Sequence, residues 1–237
     1  PVMFSSFLPT TFGGWALDQL FGGQYFFALG FRLTLLIVDL FLLLFLLQQF
    51  DKFWNKLILF YWLSPLVIFI IYWHGQIDII PVTLFYISTC YLKQRNQKLG
   101  GIILALSVAA KHSMLIGVPF LFIYLWLNRG LKSGFRRTSF YFIATLILVE
   151  GPFYFSSGFW EMVIHNREAG KIFWLALNMG SGVFVYIIPL TYLLLLYFSW
   201  RMRRMNFDLL LATLGVAFSI IIMLTLSPPG WFLWLIP

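Results

Sequence analysis

Three polar side chains and a glycine separate two apolar runs at Trp73-His74-Gly75-Gln76-Ile77-Asp78. Ionisable groups at membrane depth cost about 2.5–3.5 kcal/mol each even on the lenient insertion scale, so this hexad belongs at an interface or in a wet cavity. There Asp78 can deprotonate a hydroxyl, while His74 and Gln76 can hydrogen-bond a polar ligand. A second polar point, Lys111-His112, lies near the middle of the apolar stretch from Gly100 to Leu127. A third is the polar gap at 156–171, with Glu161, His165, Arg167, Glu168 and Lys171. Cations of this kind hold phosphate as point charges or forks. Trp231 and Trp234, near the end of the chain, supply rings that stack on a sugar or settle at headgroup level.

Each group also has a plainer use. His74, Gln76 and Asp78 suit a helix-cap network that fixes two spans, and Lys111 can snorkel to an interface without a ligand. The charges at 156–171 suit a solvated helix face, with Arg167 and Lys171 the residues best placed for an anionic headgroup. Arg32 and Asp39, seven residues apart on one helical face, read as a structural pair. A metal site from His74, Asp78, His112 and His165 is disfavoured, because no two share the tight spacing of a zinc motif. No cofactor is expected, although a divalent cation stays open.

The elements that must carry these groups are membrane helices. Of 237 residues, 61% are hydrophobic, 21% aromatic and only 10% charged, too little polar surface to cover a water-soluble globule. The net charge of +8 comes from Lys and Arg in short gaps between apolar runs, so it orients the chain in a bilayer and leaves no nucleic-acid footprint. Cys90 is the single cysteine and excludes an intrachain disulfide. The pattern predicts an all-α bundle of about eight complete or partial spans in one transmembrane domain over 1–237. Pro1 and the apolar run at Trp231–Pro237 suggest a piece cut at both ends. Residues 1–24 read as an interfacial lead-in and 156–171 as an external juxtamembrane helix. Tyr25–Leu47 makes the first full span, Leu57–Trp73 crosses with a kink at Pro65, and Lys171–Trp200 returns as one span. Gly100–Leu127 is either one long helix or two short spans turning at Lys111-His112; the turn is favoured because it brings both charges near water.

Alternating spans sort the loops into two sets. The loops 48–56, 93–98, 128–138 and 201–204 hold twelve Lys and Arg against Asp51 alone, the signature of a cytoplasmic face. The other set collects Asp18, all three histidines, Asp78, Lys111, Glu161, Arg167, Glu168, Lys171 and Trp231, on the external or luminal side. No G-x-x-x-x-G-K or G-x-G-x-x-G motif offers a nucleotide site.

Leu63-Ser64-Pro65, then the Trp73–Asp78 hexad, a basic loop, Gly100–Lys111 and Pro119 resemble, in that order, the middle of GT-C-class integral-membrane glycosyltransferases. Arg32-Leu33 leading to Asp39 and the closing Pro229–Pro237 are similar to the same class, so the likeness covers about residues 25–125 and the last ten. The resemblance implies a polyprenyl- or dolichyl-phosphate-sugar donor and inverting transfer to a glycan or lipid acceptor. The active face would be the periplasmic or external side of a bacterial inner membrane, or the lumen of the endoplasmic reticulum. It also implies a catalytic carboxylate in the first external loop. The paired-acid motif of that loop is absent from residues 1–24, so the base is expected before Pro1, with Asp18 a poor substitute. In this scheme Asp78 is an acceptor-side or orienting group, Lys111 and Arg167 hold phosphate, and Trp231 lies near the sugar. The competing readings are a transporter or flippase for amphipathic lipids, built on broken helices, and a non-catalytic membrane subunit.

Overall fold

A computed structural model describes residues 4–22, 24–128, 132–166, 169–225 and 227–235. Helix α1 (Phe4–Phe21) turns through Gly22, at φ +70°, into α2 (Gln24–Gln49), and the two lie antiparallel. Their backbones meet at Gly13 and Gly30: a Cβ on Gly30 would collide with the Gly13 carbonyl. Small residues allow this close approach where lipid supplies no hydrophobic drive. The segment read as an interfacial lead-in is thus a helix docked along the first long span.

Helices α3 (Trp54–Trp62) and α4 (Pro65–Trp73) are bent by 46°. Ser64 is extended there and Pro65 opens α4, as the missing N–H and the ring's clash with the preceding residue require. Helices α5 (Ile79–Lys93) and α6 (Gln97–Ala110) form a hairpin closed by two buried hydroxyls. Ser88 Oγ donates to the Gly100 carbonyl and Ser107 Oγ to that of Pro81, each at 2.7 Å. The chain leaves the helix at Lys111 (φ −156°, ψ 115°) and resumes in α7 (Val118–Leu127), so the break falls where the charges require it. After α7 come α8 (Lys132–Glu150), a short α9 (residues 157–164), the strands β1 (Ala176–Asn178) and β2 (Phe184–Tyr186), α10 (Ile187–Arg201) and α11 (Phe207–Leu224). A 3₁₀ turn over Pro229–Leu235 follows.

Tyr25–Gln49 and Phe207–Leu224 are long and apolar enough to cross a bilayer, and the bent pair α3–α4 would make a third span. α5, α6, α10 and His112–Leu127 are apolar but shorter. The chain is therefore a nearly all-helical membrane protein. Two cores hold it together. One gathers Leu104, Phe120, Leu121 and Leu210; the other gathers Leu35, Leu42, Ile70 and Ile79. Leu233 belongs to the second and its neighbour Trp234 to the first, so the last turn bridges them.

The structure departs from the sequence reading at Lys171–Trp200, at the Arg32–Asp39 pair and at 132–138, which opens α8 and is not a loop. Lys171–Trp200 is not one span, because β1 and β2 pair antiparallel, with Leu177 opposite Val185. Gly180, Ser181 and Gly182 take φ of +86°, +52° and +77°, a left-handed run no α-helix holds. A two-stranded hairpin leaves backbone edges unpaired and cannot cross lipid alone; its exposed Leu177, Val183 and Phe184 suit the interface. Arg32 and Asp39 do not pair. Arg32 is exposed, whereas the fully buried Asp39 accepts hydrogen bonds from the hydroxyls of Tyr61 and Tyr72.

Candidate functional site

Asp78 stands at the start of α5 with only 2% of its surface exposed. The break at Lys111 swings that side chain toward it, and Lys111 Nζ lies 2.5 Å from Asp78 Oδ2. The third partner comes from the far end of the chain. Trp234 Nε1 donates to the same carboxylate oxygen at 3.2 Å, and the Lys111 ammonium lies 5.2 Å from the centre of the Trp234 ring. Trp231 stacks on Trp234, centroids 4.7 Å apart and planes 18° from parallel.

Local sequence explains this delivery. Helix α11 ends at Leu224, and Pro228-Pro229-Gly230 start a tight turn in which Trp231 N–H returns to the Pro228 carbonyl at 3.0 Å. Gly230 lies close against Gln76, since a Cβ there would lie 2.6 Å from Gln76 Cδ and the glutamine side chain would have to move. Gln76 is thereby packed against the turn that carries the two indoles.

Lys111 and Asp78 neutralise each other, but unequally in their access to water. The Lys111 side chain is 27% exposed and that of Asp78 only 3%. An ammonium has three N–H donors, so Lys111 can hold Asp78 and still present a donor to an outside anion. Beside this pair, His112 Nε2 lies 3.2 Å from Glu150 Oε1, at the end of α8. The contact lacks hydrogen-bond geometry, and Glu150 Oε1, His112 Nδ1 and Ser113 Oγ are all buried without a hydrogen-bond partner among the described residues. Tyr154 donates to the other carboxylate oxygen of Glu150 at 3.4 Å. Desolvation, and then the Glu150 charge, raise the Tyr154 phenol above its ordinary value, so it stays a donor.

No family model, curated protein or solved structure matches the chain. The functional reading therefore rests on motif order and on the geometry above.

Of the residues singled out in the sequence, Gln76, Asp78, Lys111, Trp231 and Trp234 come together, and His112 stands beside them on Glu150. His74 is exposed, its backbone N–H bonded to the Phe69 carbonyl at 2.9 Å. Asp18 is carried half-buried on α1, and Lys171 lies 5.8 Å over the Trp174 ring, both outside the Asp78–Lys111–Trp234 contact. Arg167 lies outside the described residues. Among the described residues no group of three His, Cys, Asp or Glu is placed to hold a metal ion.

Glu150, at the end of an apolar run, belongs to no motif in the sequence. Its signal was register: α6 and α8 run side by side, Gly101 against the Thr138 carbonyl, so ten residues on from Gly101 and twelve on from Thr138 the chains reach Lys111 and Glu150 at the same end. An acid closing an apolar helix level with a lysine set in an apolar run is a candidate site residue.

Proposed function

We propose that this chain is the membrane core of a GT-C-type glycosyltransferase, with an eight-segment helical bundle, moving a sugar from a polyprenyl-phosphate donor to an acceptor hydroxyl. The observation that carries the proposal is the convergence of Asp78, Lys111 and the stacked Trp231–Trp234 from three distant segments at one end of the helices. A carboxylate-anchored ammonium beside a stacked pair of indoles fits a ligand that joins an anion to an apolar-faced ring, as a sugar phosphate does. The end that carries it is the one the charge bias assigns to the external or luminal side.

In this reading Lys111 holds the donor phosphate and neutralises the charge it gains as the sugar leaves. Asp78 positions Lys111, and Trp231 and Gln76 flank the sugar. Glu150, with an oxygen not engaged in a hydrogen bond, accepts the proton of the acceptor hydroxyl. The acceptor oxygen bonds to the sugar's anomeric carbon from the face opposite the phosphate. The carbon–oxygen bond to phosphate breaks with its electron pair on the departing polyprenyl phosphate, and the configuration inverts.

The test is transfer from radiolabelled polyprenyl-phosphate glucose and mannose, with the full chain in proteoliposomes and lipid extracts as acceptors. Turnover that Lys111→Met and Glu150→Gln reduce about a hundredfold, with folding intact, supports the assignment; turnover unchanged in both variants overturns it. Asp39, buried in the middle of α2 between two tyrosines, favours a second reading, a transporter with a protonatable midplane group. Movement of the same donors across the vesicle bilayer without sugar release, lost in Asp39→Asn, would decide for it.

A further inference from the structure

The opposite end of α5 carries a cavity of about 480 Å³ between the loop at 94–98 and the start of α8. Arg95, Lys98 and Arg137 line it together with three side-chain amides and Tyr141, and no acid contributes to its wall. All three cations are exposed, and among the described residues none has an ion-pair partner. Like charges gathered around one space repel, so the arrangement is relieved by an anion held between them.

The site is built by the backbone rather than by drifting side chains. After α5 the chain reverses within three residues, Arg95 N–H returning to the Leu92 carbonyl at 3.1 Å and Asn96 N–H to that of Tyr91 at 2.9 Å. The reversal forces Arg95 to φ +64°, a left-handed conformation where glycine is the ordinary choice. Asn96 then caps the next helix through Leu99 N–H at 3.2 Å. On the facing wall, α8 comes almost to backbone contact with α6. A Cβ on Gly134 would lie 2.5 Å from Gln97 Cγ, and one on Gly101 2.7 Å from the Thr138 carbonyl oxygen. That approach brings Arg137 over the loop cations. Arg95 persists at a strained position and contributes a guanidinium, a planar fork suited to phosphate.

We propose that this cavity binds a phosphate group, carried either by an anionic phospholipid of the adjoining leaflet or by a soluble phosphate compound. Its volume falls in the range of small-molecule sites, enough for a phosphate and the glycerol or sugar that bears it. Half-buried Tyr141 in its wall is a residue type that suits headgroup level. The site lies a full length of α5 from the Asp78 cluster and does not depend on the glycosyltransferase reading.

The full chain is purified and native mass spectrometry counts retained phosphatidylglycerol against phosphatidylcholine, while calorimetry measures inorganic phosphate and pyrophosphate. The proteins compared are the wild type, Arg95→Ala/Lys98→Ala/Arg137→Ala, and the charge-matched control Arg201→Ala/Arg203→Ala/Arg204→Ala. The proposal expects the first triple variant to bind the anion about tenfold more weakly per cation removed, with the control close to wild type. Loss confined to phosphatidylglycerol assigns the lipid as source, and loss confined to inorganic phosphate or pyrophosphate assigns the soluble compound. Arg95→Gly guards against misfolding, because it removes the guanidinium while relieving the backbone, and it too should weaken binding. Equal loss in cavity and control variants would mean a diffuse basic face and would overturn the site, as would anion binding unchanged in the cavity variants.

Discussion

The Asp78–Lys111 pair makes an asymmetric prediction. Lys111→Met leaves the carboxylate, its side chain 3% exposed, with Trp234 Nε1 at 3.2 Å as its remaining side-chain donor among the described residues. Stripping a buried charge of its partner costs about 3–5 kcal/mol. Asp78→Asn leaves the opposite residue in a better position, because Lys111 is 27% exposed and can turn its ammonium toward water. That loss should be about 1–2 kcal/mol, the value of a charge-assisted hydrogen bond at a partly wet site. With both charges removed, no ion is stranded, so the double variant should lose about 2–3 kcal/mol less than the sum of the singles.

The three variants and the wild type are unfolded by sodium dodecyl sulfate in mixed micelles and followed by far-ultraviolet circular dichroism, since a tryptophan signal would report Trp234 itself. Losses that add within about 0.5 kcal/mol would refute the pairing. An Asp78→Asn variant less stable than Lys111→Met would refute the argument from burial even if the two residues touch.

Four further outcomes follow from other contacts. Tyr61→Phe and Tyr72→Phe each strip a donor from buried Asp39 and should cost about 1–3 kcal/mol in the same titration, Tyr61 the more because it is the more buried. Gly30→Val pushes into the Gly13 carbonyl and should loosen α1 from α2 by about 1–3 kcal/mol. Gly215→Ala, with nothing within 4 Å of the added carbon, should instead stabilise α11 by about 0.5–1 kcal/mol. In the transfer assay, Gly230→Ala displaces Gln76 and the Trp231–Trp234 turn and should lower turnover about tenfold or more at unchanged helix content.

Much of this arrangement was readable in the chain. Lys111-His112 inside an otherwise apolar stretch predicts a break, and the helix ends at Ala110. Pro65 predicts the bend between α3 and α4. Both are local signals, a charge or a missing N–H that one helix cannot absorb. What the sequence hid was tertiary. Asp39 and Arg32 share a helical face, yet Asp39 finds its partners on α3 and α4, a choice that depends on how those helices bend back. Glu150 matters because α6 and α8 run in register, which no single-helix pattern reports. The hairpin at 176–186 was masked by its own hydrophobicity: Leu177, Val183 and Phe184 read as span, while the deciding residues are Gly180 and Gly182.

The lengths of α5 and α6 explain how a charge pair is tolerated here. At about 1.5 Å per residue, their 15 and 14 residues reach about 21–22 Å, roughly 8 Å less than a hydrocarbon core of about 30 Å. With their basic ends set at one headgroup level, Asp78 and Lys111 would stop below the opposite one, at a depth where an isolated ion is costly. The pairing removes the net charge and the indole of Trp234 covers one side, while the Lys111 side chain stays 27% exposed. Under the proposed glycosyltransferase reading, a donor whose phosphate is tethered to a polyprenyl chain would suit that geometry. Its anion would settle a few ångströms below the headgroups, beside Lys111, while its tail stayed in hydrocarbon. The two short helices would then bring the cation down to the lipid, and binding would not have to extract the lipid to meet the cation.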